Sequence, residues 1–295
     1  MGDTAPELAI IIPHRDDHAR LARCLEALTA RPEALEGVEI VVADNGSVPP
    51  PEIGAAPVRL VHAPRPGAAH ARNAGVAATR APRLAFLDAD CVPQPGWLAH
   101  ARALPVEGAV VGGRIDLFDE TPPPRSGAEA FERVFAFRQR AYIERHGFSV
   151  TANLLTTRAV FEMTGPFRAG LSEDKDWCHR AVAAGARLRY DDALAVAHPA
   201  RSDWPALAGK WRRLTQEGFG LTDGSARARL GWGLRALAMP FSVAAHAPRV
   251  LRHPGLAAGE RGRALATLAR LRLARCGWML AQALHGRPTG RGRPS

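Results

Sequence analysis

The chain has 295 residues, of which 46% are apolar and 23% charged, the balance of a soluble globular protein long enough to bury a full core. No apolar run reaches the roughly 18 residues of a membrane-spanning helix. The N-terminal stretch, with Asp3 and Glu7, lacks the basic-then-apolar order of a signal peptide. Cys24, Cys91, Cys178 and Cys276 are scattered with no CxxC pair, so free thiols in a reducing, cytoplasmic compartment are the simplest account.

The charge is unevenly placed. The whole chain carries 39 basic and 29 acidic residues, a net +10. Residues 200–295 hold 17 basic and 4 acidic side chains, whereas residues 1–199 hold 22 and 25. This asymmetry predicts two regions, a nearly neutral front over 1–200 and a basic rear over 201–285, with a tail over 286–295 expected to be disordered.

In chain order, Leu8-Ala9-Ile10-Ile11-Ile12 reads as a strand buried on both faces, stopped by Pro13 and followed by His14-Arg15-Asp16-Asp17. Asp16 or Asp17 can cap a helix from His18 to Ala30 with Leu21, Leu25 and Leu28 as its apolar stripe. A second strand, Glu39 to Ala43, ends in the turn Asp44-Asn45-Gly46-Ser47. A third, Val58 to His62, precedes Arg65-Pro66-Gly67 and a helix through Ala71 to Ala77. The apolar run Leu84 to Leu87 then ends in Asp88-Ala89-Asp90. Alternating strands and helices predict a mostly parallel, doubly wound α/β sheet, in which a ligand crevice lies beyond the carboxyl ends of the strands. His14, Arg15, Asp44, Asp88 and Asp90 come from three segments yet fall at that one edge. Residues two apart on an extended chain share a side, so Asp88 and Asp90 can share a divalent cation or form a solvated strand-end turn.

Further on, Pro93 to Trp97 opens a helix, and Ala109 to Ile115 reads as a strand whose Gly112-Gly113 permits close backbone approach. Thr121 to Pro124 is a loop, and Glu129 to Arg145 a single helix. Ser172 can cap a helix over 173–184, putting Glu173 and Asp174 in its first turn, where acids favour the helix dipole. A strand pair, Leu188 to Tyr190 and Leu194 to Ala197, delivers His198. From Trp204 the pattern is helical and basic.

The order Ala9-Ile10-Ile11-Ile12-Pro13-His14-Arg15, Val41-Val42-Ala43-Asp44-Asn45-Gly46-Ser47, Ala71-Arg72-Asn73-Ala74-Gly75, Phe86-Leu87-Asp88-Ala89-Asp90-Cys91, Gly165-Pro166-Phe167, Glu173-Asp174 and His198 resembles an inverting family 2 glycosyltransferase of the GT-A fold over about residues 8–200. The resemblance implies a nucleotide-sugar donor over the first half. Asp44 would accept a hydrogen bond from the base, Pro13, His14 and Arg15 would line the nucleoside pocket, and Arg72 would lie near the base or diphosphate. Asp88 and Asp90 form the family's DxD motif, with Asp90 alone or both acids as direct ligands of Mn2+ or Mg2+ and with Asp88 also at the donor nucleotide. Asp174 would be the catalytic base, supported by Glu173. His14-Arg15 and the single Asp after Ala43 depart from the family's usual endings and leave the base unidentified. The chemistry agrees: a departing diphosphate needs a cation, and an acceptor hydroxyl needs a base. Imidazole also binds Mn2+, so His198 is either a further ligand or a packed loop histidine.

Trp97 and Trp177 either stack on an acceptor sugar or pack in the core. Cys91 has no histidine partner in sequence and reads as packing. The basic rear suits a lipid-linked acceptor's phosphates, an anionic membrane surface (a peripheral position on the inner face of the cell membrane), or a solvated arginine-rich face. Nucleic acid fits poorly, since Trp204, Trp211, Phe219 and Trp232 form no stacking ladder. The rival readings are a nucleotidylyltransferase, which needs a glycine-rich loop absent after Ile12, and a non-catalytic binder using the basic rear.

Overall fold

A computed structural model describes residues 6–53, 57–170 and 172–286; the tail expected to be disordered lies outside these residues from 287 onward. The chain divides into two compact units, Met1–Asp116 with Phe137–His198, and Leu117–Ala136 with Pro199–Ser295. The division is therefore not one cut near residue 200: a segment from the middle of the chain, 117–136, joins the second unit.

The first unit is built on β1 (Leu8–His14), α1 (His18–Thr29), a 3-10 turn (Pro32–Leu35), β2 (Val38–Asp44), β3 (Val58–His62), α2 (Ala68–Ala78), β4 (Arg83–Leu87), β5 (Val92–Pro93), α3 (Trp97–Ala103) and β6 (Ala109–Phe118). After α4 (Gly127–Phe135) of the second unit come α5 (Gln139–His146), β7 (Asn153–Thr157), α6 (Arg158–Thr164), α7 (Glu173–Ala183) and β8 (Arg187–Pro199). The sheet order is β3-β2-β1-β4-β7-β6-β8-β5. Strands β1 to β4 are parallel, as the sequence pattern predicts. The β4–β7, β6–β7 and β5–β8 pairs are antiparallel, so the sheet is mixed rather than mostly parallel.

The continuous apolar run of β1 serves two cores. Leu8, Ile10 and Ile12 pack with Leu21, Cys24 and Leu28 of α1, while Ala9 and Ile11 pack with Val76 of α2 and with Phe161 and Trp177. Alternation of side chains along a strand produces this split, and full burial of each isoleucine contributes about 2–3 kcal/mol. Helix α2 approaches β1 so closely that a Cβ on Gly75 would collide with Ile11 Cγ2 at 2.5 Å.

Three local expectations are corrected. Strand β1 continues through Pro13 to His14. Its pairing with β4 stops at Ile11, and the N–H that Pro13 lacks falls on that unpaired side. The helix expected over 129–145 is two, α4 and α5, with Phe137 between them at φ 46. The strand pair expected before His198 is the single strand β8. Asp191 accepts from the N–H groups of Ala193 and Leu194, both at 2.9 Å, so its turn-like sequence is absorbed inside the strand.

The second unit is helical: α4, then α8 (Trp204–Gly220), α9 (Ala226–Ala238), α10 (Ser242–Leu251) and α11 (Ala258–His285). Ser126 and Glu129 form a capping box on α4, and Asp203 and Ser225 cap α8 and α9. Phe131, Leu207, Val250, Leu256, Leu268 and Leu271 make its core. Buried Glu132 is paired with Arg201 at 2.9 Å and Lys210 at 3.0 Å. Among the described residues no helix is long and apolar enough to cross a membrane.

Candidate active site

The parallel register of β1 and β2 sets His14 beside Asp44 at the carboxyl ends of both strands. His14 Nδ1 lies 3.1 Å from Asp44 Oδ1, and His14 Nε2 accepts the Asp17 N–H at 3.3 Å. Acceptance at Nε2 leaves the proton on Nδ1, directed at the carboxylate. Ser47 donates its hydroxyl to Asp44 Oδ1 at 2.5 Å and its N–H to Oδ2 at 3.1 Å. Burial opposes ionisation of Asp44, but the hydrogen bonds from Ser47 and His14 outweigh it and hold the carboxyl below its ordinary range. His14 is thus an orienter of Asp44, with both ring nitrogens engaged and only 2% of its surface exposed. Pro13 is half-buried beside it, and Arg15 is exposed and paired with Asp16.

Asn45, the next residue, fastens the loop leading into α2. Its amide donates to the carbonyls of Ala63 and Arg65 and accepts the Gly67 N–H at 2.6 Å. Asn73 of α2 exchanges two hydrogen bonds with the backbone of Phe167. These contacts fix the helix that carries Arg72.

Arg72 is buried and bridges two acids, donating to Asp88 Oδ1 at 2.7 Å and to Glu173 Oε1 at 3.1 Å. Desolvation works against its charge, but Asp88, Asp174 and Glu173 together keep the guanidinium protonated. Asp174 accepts from Thr151 Oγ1 at 2.8 Å. Desolvation pushes its carboxyl up to about 6, with Arg72 opposing and Glu173 and Asp88 adding to the shift. Asp88, Glu173 and Asp174, nearly ninety residues apart in sequence, therefore share one electrostatic neighbourhood.

Asp88 and Asp90 part company. Asp88 turns to Arg72, whereas Asp90 Oδ2 faces His198 Nε2 at 3.2 Å. The β5–β8 pairing, Val92 with Ala197, brings this about. A carboxylate oxygen and an imidazole nitrogen at that spacing suit neighbouring positions on one small divalent ion with bonds of about 2.1 Å. No cluster of three such side chains exists among the described residues. The donor set fits an ion that completes its shell with phosphate oxygens and water.

Trp97 and Trp177 are core residues. Their indole N–H groups donate to Asn153 Oδ1 and the Gly165 carbonyl. Cys91 is buried, and burial together with Asp90 and Asp88 raises its thiol well above the ordinary value, which removes it as a nucleophile. Gly112 and Gly113 meet the Ser149 side chain and the Leu194 carbonyl with Asn153, so their close approach is internal packing. The sequence pattern missed Ser47 and Thr151 as partners of the acids. The Asp44-Asn45-Gly46-Ser47 turn carried a signal for Ser47, since an Asp side chain often caps backbone a few residues on. Thr151 had none.

The chain is similar to several known proteins. Glycosyltransferase AglE of Haloferax volcanii is 28% identical over 229 residues, covering 72% of this chain and 73% of that protein. The pre-mycofactocin glycosyltransferase of Mycobacterium tuberculosis is 31% identical over 222 residues, covering 70% of this chain and 46% of that protein. The solved structure of mannosyltransferase PcManGT from Pyrobaculum calidifontis, in complex with GDP-Man and Mn2+, aligns with TM-score 0.50 at 17% identity over 96% of this chain and 74% of that one. That likeness shows a shared GT-A fold. The model of glycosyl transferase family 2 matches residues 9–170, more than half of the chain, and with these relatives it makes the protein an enzyme of the transferase type. The chain belongs to glycosyl transferase family 2.

Proposed function

We propose that this enzyme moves a sugar from a nucleoside-diphosphate sugar to an acceptor hydroxyl on a glycan or lipid-linked acceptor, with inversion and with the help of Mn2+ or Mg2+. The observation that carries the reading is Arg72 held between Asp88 and Glu173. It ties the strand end that faces a donor to the helix that bears a base.

The residues divide the chemistry. Asp44, kept ionised by Ser47 and His14, accepts from a donor group on the base, with Pro13 and Arg15 at the pocket rim. Arg72 offers positive charge where the diphosphate departs and keeps Asp88 and Glu173 in place. Asp90 and His198, with Asp88 nearby, would hold a divalent cation, which when bound neutralises charge building on the leaving group. Asp174 takes the proton of the acceptor hydroxyl as its oxygen bonds to the anomeric carbon, and Thr151 orients the carboxylate. Asp174 is a desolvated carboxyl group whose pKa is raised, which supports its role as the base. Its value near 6 leaves it ionised at neutral pH yet basic enough to accept a proton.

The test is a thermal-shift screen of nucleotide sugars with and without Mn2+. The donor stabilises the enzyme more with the metal than without it. Absence of stabilisation by every nucleotide sugar in both conditions overturns the reading.

A further inference from the structure

Helix α9 is apolar on two faces, and only one is covered. Trp232, Gly233 and Ala236 line the covered face. Trp232 packs on Phe219 with ring centroids 5.7 Å apart and donates to Gln282 Oε1, Gly233 faces Ala283, and Ala236 is fully buried. Arg229 joins that face by donating to the carbonyls of Ala283 and Leu284. On the other side Leu230, Leu234 and Leu237 follow at helical spacing, and Phe241 continues the line through the αR turn after the helix. They are 66%, 60%, 55% and 80% exposed. Four large apolar side chains in one stripe form an interaction surface, unlike single exposed leucines.

The charge around the stripe says what covers it. Residues 226–286 hold ten arginines and one carboxylate, Glu260. Glu260 is spent on Arg125 and on capping α11. Among the described residues none of the ten arginines is ion-paired. One, Arg272, sits at the end of the stripe, and Arg275 lies about one turn further along α11. Arg272 lies against the Met239 sulfur at 3.8 Å, in the turn between Leu237 and Phe241, and Arg275 stacks over Trp211 at 4.7 Å. The Nε atoms of both are buried without a hydrogen-bond acceptor. Burial lowers the pKa of both, Arg275 to about 10, with Arg272 adding to it, and no carboxylate offsets either. Guanidinium groups desolvated side by side without an acid need an anion, and beside an apolar stripe the anion is a lipid phosphate.

We propose that α9 and the turn after it lie in the interface of an anionic phospholipid bilayer, with Leu230, Leu234, Leu237 and Phe241 entering the acyl boundary and Arg272 and Arg275 binding headgroup phosphates. A partner of this chemistry uses both halves of the surface: the apolar side chains leave water, and the unpaired arginines gain counter-charge. The surface belongs wholly to the helical unit and does not depend on the transfer reaction.

The experiment is vesicle co-sedimentation of the full chain with dioleoylphosphatidylglycerol and dioleoylphosphatidylcholine at equal parts, against dioleoylphosphatidylcholine alone. The chain binds the anionic vesicles at least about tenfold more tightly, and binding weakens with salt. The Leu234→Glu and Phe241→Glu variants, changed at exposed positions, keep the wild-type circular dichroism spectrum and melting temperature yet lose binding about tenfold or more. Arg272→Gln with Arg275→Gln removes the preference for anionic over neutral vesicles. Binding of wild-type protein to neither vesicle overturns the proposal, as does equal binding by Leu234→Glu. A dimer in light scattering that Leu234→Glu converts to monomer also overturns it, since the stripe is then covered by a second copy.

Discussion

The Arg72 guanidinium lies 2.7 Å from the Asp88 carboxylate, and this pair joins the strand-end motif to the helix of Glu173 and Asp174. Arg72 is the counter-charge that keeps three neighbouring acids compatible. The Arg72→Met variant removes it. Asp174 then holds its proton to higher pH, because the group that lowers its pKa is gone while Glu173 and Asp88 remain. The acid limb of the pH–rate profile moves upward and transfer falls. An acid limb unchanged from wild type shows that Arg72 does not act on the base.

With Asp174 as the proposed base, transfer by the wild-type enzyme rises with pH through about 6 and levels above it, since a base works only when deprotonated. The same group sets a stability trend of opposite sign. Its folded pKa exceeds the ordinary 3.8, so the folded state holds the extra proton between roughly pH 4 and 6, and stability falls as pH rises through that window. Asp174→Asn therefore loses about 10²–10⁴ in transfer rate. It also melts higher than wild type at neutral pH by an amount on the order of 2 kcal/mol, a gain that vanishes near pH 4. Donor binding persists. Wild-type turnover in this variant rules out Asp174 as the base.

Asp44 shows the other sign. Its carboxyl is held low, so its contribution to stability is present above the ordinary range and is lost as pH falls through the folded value. Ser47→Ala removes the 2.5 Å bond and costs about 1–2 kcal/mol at neutral pH, and the cost shrinks in acid. Nucleotide affinity falls with it. Urea melts at pH 7 and pH 3, with nucleotide titration, check both.

The opposed Asp90 and His198 predict a shared dependence on metal. Asp90→Asn and His198→Ala each abolish the extra stabilisation that Mn2+ adds to nucleotide binding, and a chelator does the same to wild type. A variant that keeps the full Mn2+ response shows that its residue is not a ligand.

Gly113 tests the packing beneath the site. A Cβ there meets the Leu194 carbonyl and the Asn153 amide, both held by hydrogen bonds. Gly113→Ala destabilises by about 2–3 kcal/mol, measured by thermal or urea unfolding, and a neutral result shows that β6 can yield.

The gathering of residues at the strand ends of the candidate site is legible in the sequence. The apolar run of β1, the turn after Asp44 and the acids after Leu87 each carry local signals, and parallel topology puts such strand ends at one edge. The division of labour was not legible. Asp88 and Asp90 are equivalent as two carboxylates two residues apart, and only the distant partners Arg72 and His198 distinguish them. The register with β2 puts His14 Nδ1 on Asp44, while the local turn to Asp17 occupies Nε2. The second half of the sheet and the transfer of 117–136 to the helical unit rest on pairings between residues far apart in the chain, for which periodicity carries no information. Which residue types stand at the strand ends follows from backbone alternation and turn chemistry, both of them local. Tertiary structure decided which acid faces a guanidinium, which faces an imidazole and which is desolvated, because long-range packing sets those charges.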